Sequence, residues 1–182
     1  GKDDTVRIWD TNQTTAKSVL RGHLSAVSVL AINPGGSILA SGSLDGTVIF
    51  WDFKEKKLLK TFKVTGKGSV KSMVFHPNEN ILAIGGEDGS LQFRDLTEMK
   101  LQFKLPHHKK AVTSLDFNLE GDLFVSSSED GKLIVWDWEL RKQLFEIEIN
   151  DSITDLSIHP LRNEIALVTA GGSLETWSLS TG

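Results

Sequence analysis

Asp45-Gly46-Thr47-Val48-Ile49-Phe50-Trp51-Asp52 returns with the same grammar as Asp88-Gly89-Ser90-Leu91-Gln92-Phe93-Arg94-Asp95 and as Asp130-Gly131-Lys132-Leu133-Ile134-Val135-Trp136-Asp137. An Asp-Gly pair feeding an alternating apolar run reads as a tight turn entering a β-strand. The glycine permits positive φ and the aspartate bonds to nearby backbone. Val48 and Phe50, Leu91 and Phe93, and Leu133 and Val135 then share one face of a sheet.

Working outward, a second strand precedes each of these (Ile38 to Ser43, Ile81 to Gly86, Leu123 to Ser128), and a third precedes that one (Ala26 to Asn33, Ser69 to His76, Ala111 to Asn118). A fourth stretch follows (Lys57 to Val64, Met99 to Leu105, Lys142 to Ile149), and Pro34, Pro77 and Pro160 fall in turns. Helical periodicity is absent. Tryptophan or its replacement recurs at Trp9, Trp51, Arg94, Trp136 and Trp177, with gaps of 42, 43, 42 and 41 residues. A period of that size signals repeated four-stranded sheets, the blades of a β-propeller.

Composition narrows the functions. The 182 residues suit one domain. A net charge of −4 argues against a nucleic-acid protein held by bulk positive charge. With no cysteine there is no disulfide framework, thiolate zinc site or cysteine nucleophile, which is compatible with an intracellular home. No apolar run is long enough for a membrane span, and Gly1 to Asp10 read as the middle of a repeat, not as a targeting peptide.

His23, Ser41 and Asp45 supply the residue types of a proton-relay hydrolase. They recur as His108, Ser126 and Asp130 with the same 22-residue His-to-Asp offset, and neither serine lies in a G-x-S-x-G elbow. Repetition of the whole set favours a structural role over catalysis.

Taken together, the turns, strands and period resemble the WD40 repeat family over essentially the whole chain. The resemblance implies an all-β fold, a WD40 β-propeller fragment of three complete four-stranded blades plus two partial blades. Its single domain over 1–182 has repeat boundaries near 11–52, 53–95, 96–137 and 138–178. It also implies two buried tetrads, Trp51-Ser41-His23-Asp45 and Trp136-Ser126-His108-Asp130, each stapling the loop before the first strand to the turn before the third. The next repeat after the first tetrad keeps Asp88 but has Gly66, Ile84 and Arg94 in the other places; the last has Ile149, Leu167 and Gly171 and keeps Trp177. Those two blades are expected to rest mainly on apolar packing and to open more easily. Partner contacts implied by the family are Ala26, Ser28 and Leu44; Ser69, Lys71 and Glu87; Ala111, Thr113 and Glu129; Ser152, Thr154 and Ala170.

Charge adds a second surface. Lys54, Lys56, Lys57, Lys60, Lys63, Lys67 and Lys71 face one acid, Glu55, between Phe53 and Ser72, and His107, His108, Lys109 and Lys110 extend the positive character. Such a sector suits an acidic tail, a phosphorylated segment or anionic lipid; lysines on outer strands also protect edges. Within the family, Phe75-His76-Pro77-Asn78-Glu79, Leu82-Ala83 and Phe93-Arg94-Asp95-Leu96 are similar to a blade of the katanin regulatory subunit. That similarity implies targeting of a microtubule-severing ATPase, acidic tubulin tails as partners, and a cytoplasmic, cytoskeleton-associated location. The reading is therefore a non-catalytic protein-protein interaction scaffold with no cofactor, no metal and no small-molecule substrate. A substrate receptor of a ubiquitin ligase is the alternative within the fold, and a propeller enzyme the alternative of another class.

Overall fold

The computed structural model describes residues 2–10, 12, 14–64, 68–106, 108–162 and 164–179. Among them the chain forms strands and no helix. A first sheet holds β1 (Thr5–Trp9) and β2 (Ala16–Arg21). The second runs in the order β3 (Val27–Ile32), β4 (Ile38–Ser43), β5 (Thr47–Asp52) and β6 (Lys57–Lys63). The third follows suit with β7 (Val70–Phe75), β8 (Ile81–Gly86), β9 (Leu91–Asp95) and β10 (Lys100–Leu105). The fourth has β11 (Val112–Phe117), β12 (Leu123–Ser128), β13 (Lys132–Asp137) and β14 (Lys142–Glu148). The fifth has β15 (Ile153–Ile158), β16 (Glu164–Thr169) and β17 (Leu174–Ser178). All pairings are antiparallel.

Sheets pack face to face, and the inner strands touch in succession, β3 on β7, β7 on β11 and β11 on β15. The sandwich enlarges the single apolar face read from the sequence. Val48 and Phe50 join Val70, Met73, Phe75, Leu82 and Ile84 of the third sheet, while Ile49 and Trp51 on the opposite face join Val6 and Leu20 of the first. A central strand buried on both faces becomes almost continuously apolar, as the middle of β5 and of β13 shows. Each large side chain so enclosed contributes about 1.5–3 kcal/mol.

The turns behave as their sequence predicts. Gly46 (φ 78°) donates its N–H to the Ser43 carbonyl, and Gly131 (φ 80°) does the same to Ser128. A second regularity was not legible: each inner strand carries a bulge, leaving Ser28, Lys71, Thr113 and Thr154 without a cross-strand partner. A bulge re-aims the extra side chain and bends the strand. These are the inner-strand members of the candidate contact sets.

Candidate interaction surface

Beneath the rim lie the two polar chains. In the second sheet the Trp51 Nε1–H donates to Ser41 Oγ at 2.8 Å, and Ser41 Oγ lies 2.7 Å from His23 Nε2. Asp45 is 3.6 Å from His23 Nδ1, beyond hydrogen-bond range. The link passes instead through Thr47, whose Oγ1 lies 3.1 Å from His23 Nδ1 and donates to Asp45 Oδ1 at 2.6 Å. In the fourth sheet Lys132 replaces that threonine and His108 Nδ1 lies 3.3 Å from both Asp130 oxygens. Trp136 and His108 reach Ser126 Oγ at 3.0 and 2.8 Å.

One direction of donation satisfies every group: indole to hydroxyl, hydroxyl to His Nε2, and His Nδ1–H toward the carboxylate. It requires neutral imidazole. Burial is the largest influence on His23 and His108 and pushes both below the usual histidine range. For Asp45 and Asp130 burial acts upward, but donors outweigh it: Thr47 and the Leu24 N–H for Asp45, the Lys109 N–H and His108 for Asp130. Both serines are fully buried, so a substrate has no route to either hydroxyl.

Sequence reasoning missed more of the stapling. Ser43 and Ser128 accept the N–H of Asp45 and Asp130 and donate to the Ser25 and Lys110 carbonyls. The third sheet uses Glu87, which accepts from the Ser69 N–H and hydroxyl at 2.8 and 2.9 Å. In the fifth sheet the carboxylate has moved from the turn to the loop: Asp151 accepts from the Gly171 N–H at 2.6 Å. The expectation that these two sheets rest mainly on apolar packing is thus amended, because each keeps a loop-to-turn carboxylate. Gly66 lies outside the described residues.

The contact candidates come together in four sets at one end of the sheets. Backbone bonds join Leu44 to Ala26, Glu87 to Ser69, Glu129 to Ala111 and Ala170 to Ser152, at 2.8 to 3.0 Å. Ser28, Leu44, Glu87, Glu129, Thr154 and Ala170 are exposed, and Ala26, Lys71, Thr113 and Ser152 are half-buried. Ser69 and Ala111 are corrections: at 3% and 4% exposure they brace the rim and offer no contact. Glu87 also lies 3.9 Å from Lys71.

Lysines of the basic sector spread along an edge instead of gathering in a patch. Lys57 pairs across from Asp52 at one end of β6 and Lys63 across from Thr47 at the other, with Lys60 between. Lys54 is exposed in the preceding turn and Lys56 folds over the Phe53 ring. Lys109 and Lys110 belong to the rim loop of the fourth sheet; Lys67 and His107 lie outside the described residues.

At the opposite end, the Phe75 to Glu79 stretch ties two sheets together. His76, 2% exposed, places Nε2 2.9 Å from the Gly121 carbonyl, while its Nδ1 accepts the N–H groups of Asn78 and Glu79. Glu79 accepts the Trp138 indole N–H at 2.8 Å, and Asn78 donates to the Glu120 carbonyl. The His76 ring packs against Phe117 and Trp138. Among the described residues no group of three or more His, Asp or Glu side chains could hold a metal ion, and no helix is long and apolar enough to cross a membrane.

Against known families, the WD domain, G-beta repeat, matches residues 14–52, 56–95 and 99–137. The chain belongs to the WD40 family. Each matched WD40 stretch starts on the outer strand of one sheet and ends on the third strand of the next, so the covalent chain itself straddles neighbouring sheets. Among similar proteins are the small ribosomal subunit protein RACK1y of Oryza sativa subsp. japonica, 30% identical over 74% of this chain and 41% of its own length, and transcription factor unc-37 of Caenorhabditis elegans, 29% identical over 86% of this chain and 25% of its own. Periodic tryptophan protein 2 of Arabidopsis thaliana is 28% identical over 99% of this chain and 20% of its own length. The chain thus spans less than half the length of these relatives.

Proposed function

We propose that this WD40 chain is a non-catalytic interaction scaffold that meets partner proteins through the rim of bulge and turn residues. One observation carries the reading. In each of four successive sheets a bulged inner-strand residue and a turn residue are locked at the same end, beside the same backbone bond. Bulges that recur at one end re-aim side chains toward one surface. The buried Ser41 and Ser126 hydroxyls are each committed to a histidine and a tryptophan, which favours a structural over a nucleophilic role for them.

A narrower role at microtubules draws no support from Phe75 to Glu79, since packing between sheets accounts for that motif. Its remaining support is the lysine-bearing outer strand, which acidic tubulin tails would suit. The ubiquitin-ligase reading has no feature of its own in these residues.

Affinity capture with the full chain and rim variants tests the proposal. Leu44→Asp and Thr113→Arg are expected to remove bound proteins while the far-ultraviolet spectrum and unfolding midpoint hold. Retention of all partners by both variants, with loss on changing Asn78 and Glu120 at the other end, would overturn it.

A further inference from the structure

Arg94 stands where Trp51 and Trp136 stand in the neighbouring repeats. Its guanidinium carbon lies 4.4 Å from the centre of the Phe62 ring, so the head group bridges β9 and β6. Its Nε is buried and has no hydrogen-bond partner among the described residues. Among the described residues the guanidinium makes one long bond, 3.4 Å, to Gln92 Oε1, and the Gln92 amide is itself committed to the Val64 carbonyl. None of the ion pairs among the described residues includes Arg94. A partly desolvated cation without a counter-charge is costly. A guanidinium fork matches a carboxylate in two parallel bonds.

The strand it reaches is basic on both faces. Lys57, Lys60 and Lys63 of β6 are exposed, and the strand holds no acid. The corresponding strand β14 mixes Lys142 with Glu146 and Glu148, so edge protection alone does not demand an acid-free strand. Lys60 pairs across from Phe50 and Phe62 across from Val48, which places both on the face that meets the third sheet and Arg94. Beyond the bulge at Leu59 the pairing runs regularly from Lys60 to Lys63. β6 is also the last strand of its sheet, so its outward backbone is open to a further strand.

We propose that this outer edge, β6 with the Arg94 head group over Phe62, binds an extended, glutamate- or aspartate-rich segment of a partner protein. The segment adds to β6 as a fifth strand whose side chains alternate, with carboxylates on Arg94 and against Lys57 and Lys60 on the face toward the third sheet, and one against Lys63 on the other face. Charge complementarity selects the occupant: Arg94, Lys57 and Lys60 lie beside Phe62 on the face toward the third sheet, Lys63 lies on the other face of β6, and against these cations stands Glu55, 3.9 Å from Lys57. The site lies on the outer wall and not on the rim, so it stands or falls independently of the rim contacts.

Fluorescence anisotropy of the full chain with a labelled ten-residue polyglutamate peptide tests it. Arg94→Trp, which restores the residue of the sister repeats, and the pair Lys60→Gln/Lys63→Gln are each expected to weaken binding on the order of tenfold. The pair Lys100→Gln/Lys104→Gln on β10 removes equal charge from another outer strand and is expected to change binding less than about twofold. Affinity should fall with added salt. Thermal unfolding of each variant checks folding, and Arg94→Lys, which keeps charge and loses the fork, replaces Arg94→Trp if that variant misfolds. Unsaturable binding, insensitivity to Arg94 or to the β6 pair, an equal loss in the β10 control, or tighter binding of a ten-nucleotide RNA would each overturn the proposal.

Discussion

The imidazole of His76 donates from Nε2 to the carbonyl of Gly121 at 2.9 Å, joining the turn after β7 to the turn after β11. Gly121 sits at φ 80°, and a Cβ there would stand 2.5 Å from His76 Cε1. Gly121→Ala therefore combines left-handed backbone strain with displacement of a buried ring. It should destabilise the chain by about 2 kcal/mol or more in urea unfolding; a change under about 0.5 kcal/mol would show that the turns are not coupled.

Thr47 and Lys132 occupy the same place in two repeats and do different work. Thr47→Val leaves His23 Nδ1–H without its acceptor and is expected to cost about 1–2 kcal/mol. Lys132→Ala leaves the His108–Asp130 contact in place and gives up the partly exposed ion pair to Glu146, so it should cost about 0–1 kcal/mol. Denaturant unfolding of the two variants side by side checks the contrast.

Acid should loosen the fold through its buried histidines. His23, His76 and His108 all have folded-state pKa values pushed down, in each case foremost by burial. The unfolded chain thus binds more protons below the ordinary histidine value of about 6.5, and stability falls as pH drops through and below it. The contribution is fully present above that pH. Thermal midpoints measured from pH 7.5 to about 5 should decline, and His76→Gln should flatten part of the decline.

The sheets without a Trp-Ser-His chain should open more readily. Their loop-to-turn staples are one carboxylate each, Glu87 or Asp151, against four linked groups elsewhere. Native-state hydrogen exchange should be faster in β8 and β16 than in β4 and β12. Slower exchange in β8 and β16 than in β4 and β12 would count against this expectation.

Strand positions were legible because turn glycines and alternating apolar residues act locally, as at Gly46 and Gly131. The residues of the polar chains were legible because His, Ser, Asp and Trp repeat at fixed offsets. Thr47 was not, since its insertion turns on whether a histidine nitrogen lies 3.1 Å from a hydroxyl or 3.6 Å from a carboxylate. Asp151 was hidden because its carboxylate serves the same bond from the opposite partner. The burial of Ser69 and Ala111 reflects how tightly loop and turn close, which spacing does not report. Arg94 was visible as a departure, but its place over Phe62 depends on the pairing of two sheets.

The account separates what holds the blades from what meets partners, and one paired measurement tests that division. Unfolding free energy and partner capture are read together for Ser126→Ala, inside the fourth sheet, and Thr113→Arg, on its rim. The account predicts that Ser126→Ala loses about 1–3 kcal/mol of stability and keeps its partners at low temperature, while Thr113→Arg keeps its stability and loses them. Loss of partners by a folded Ser126→Ala chain, with none lost by Thr113→Arg, would contradict it.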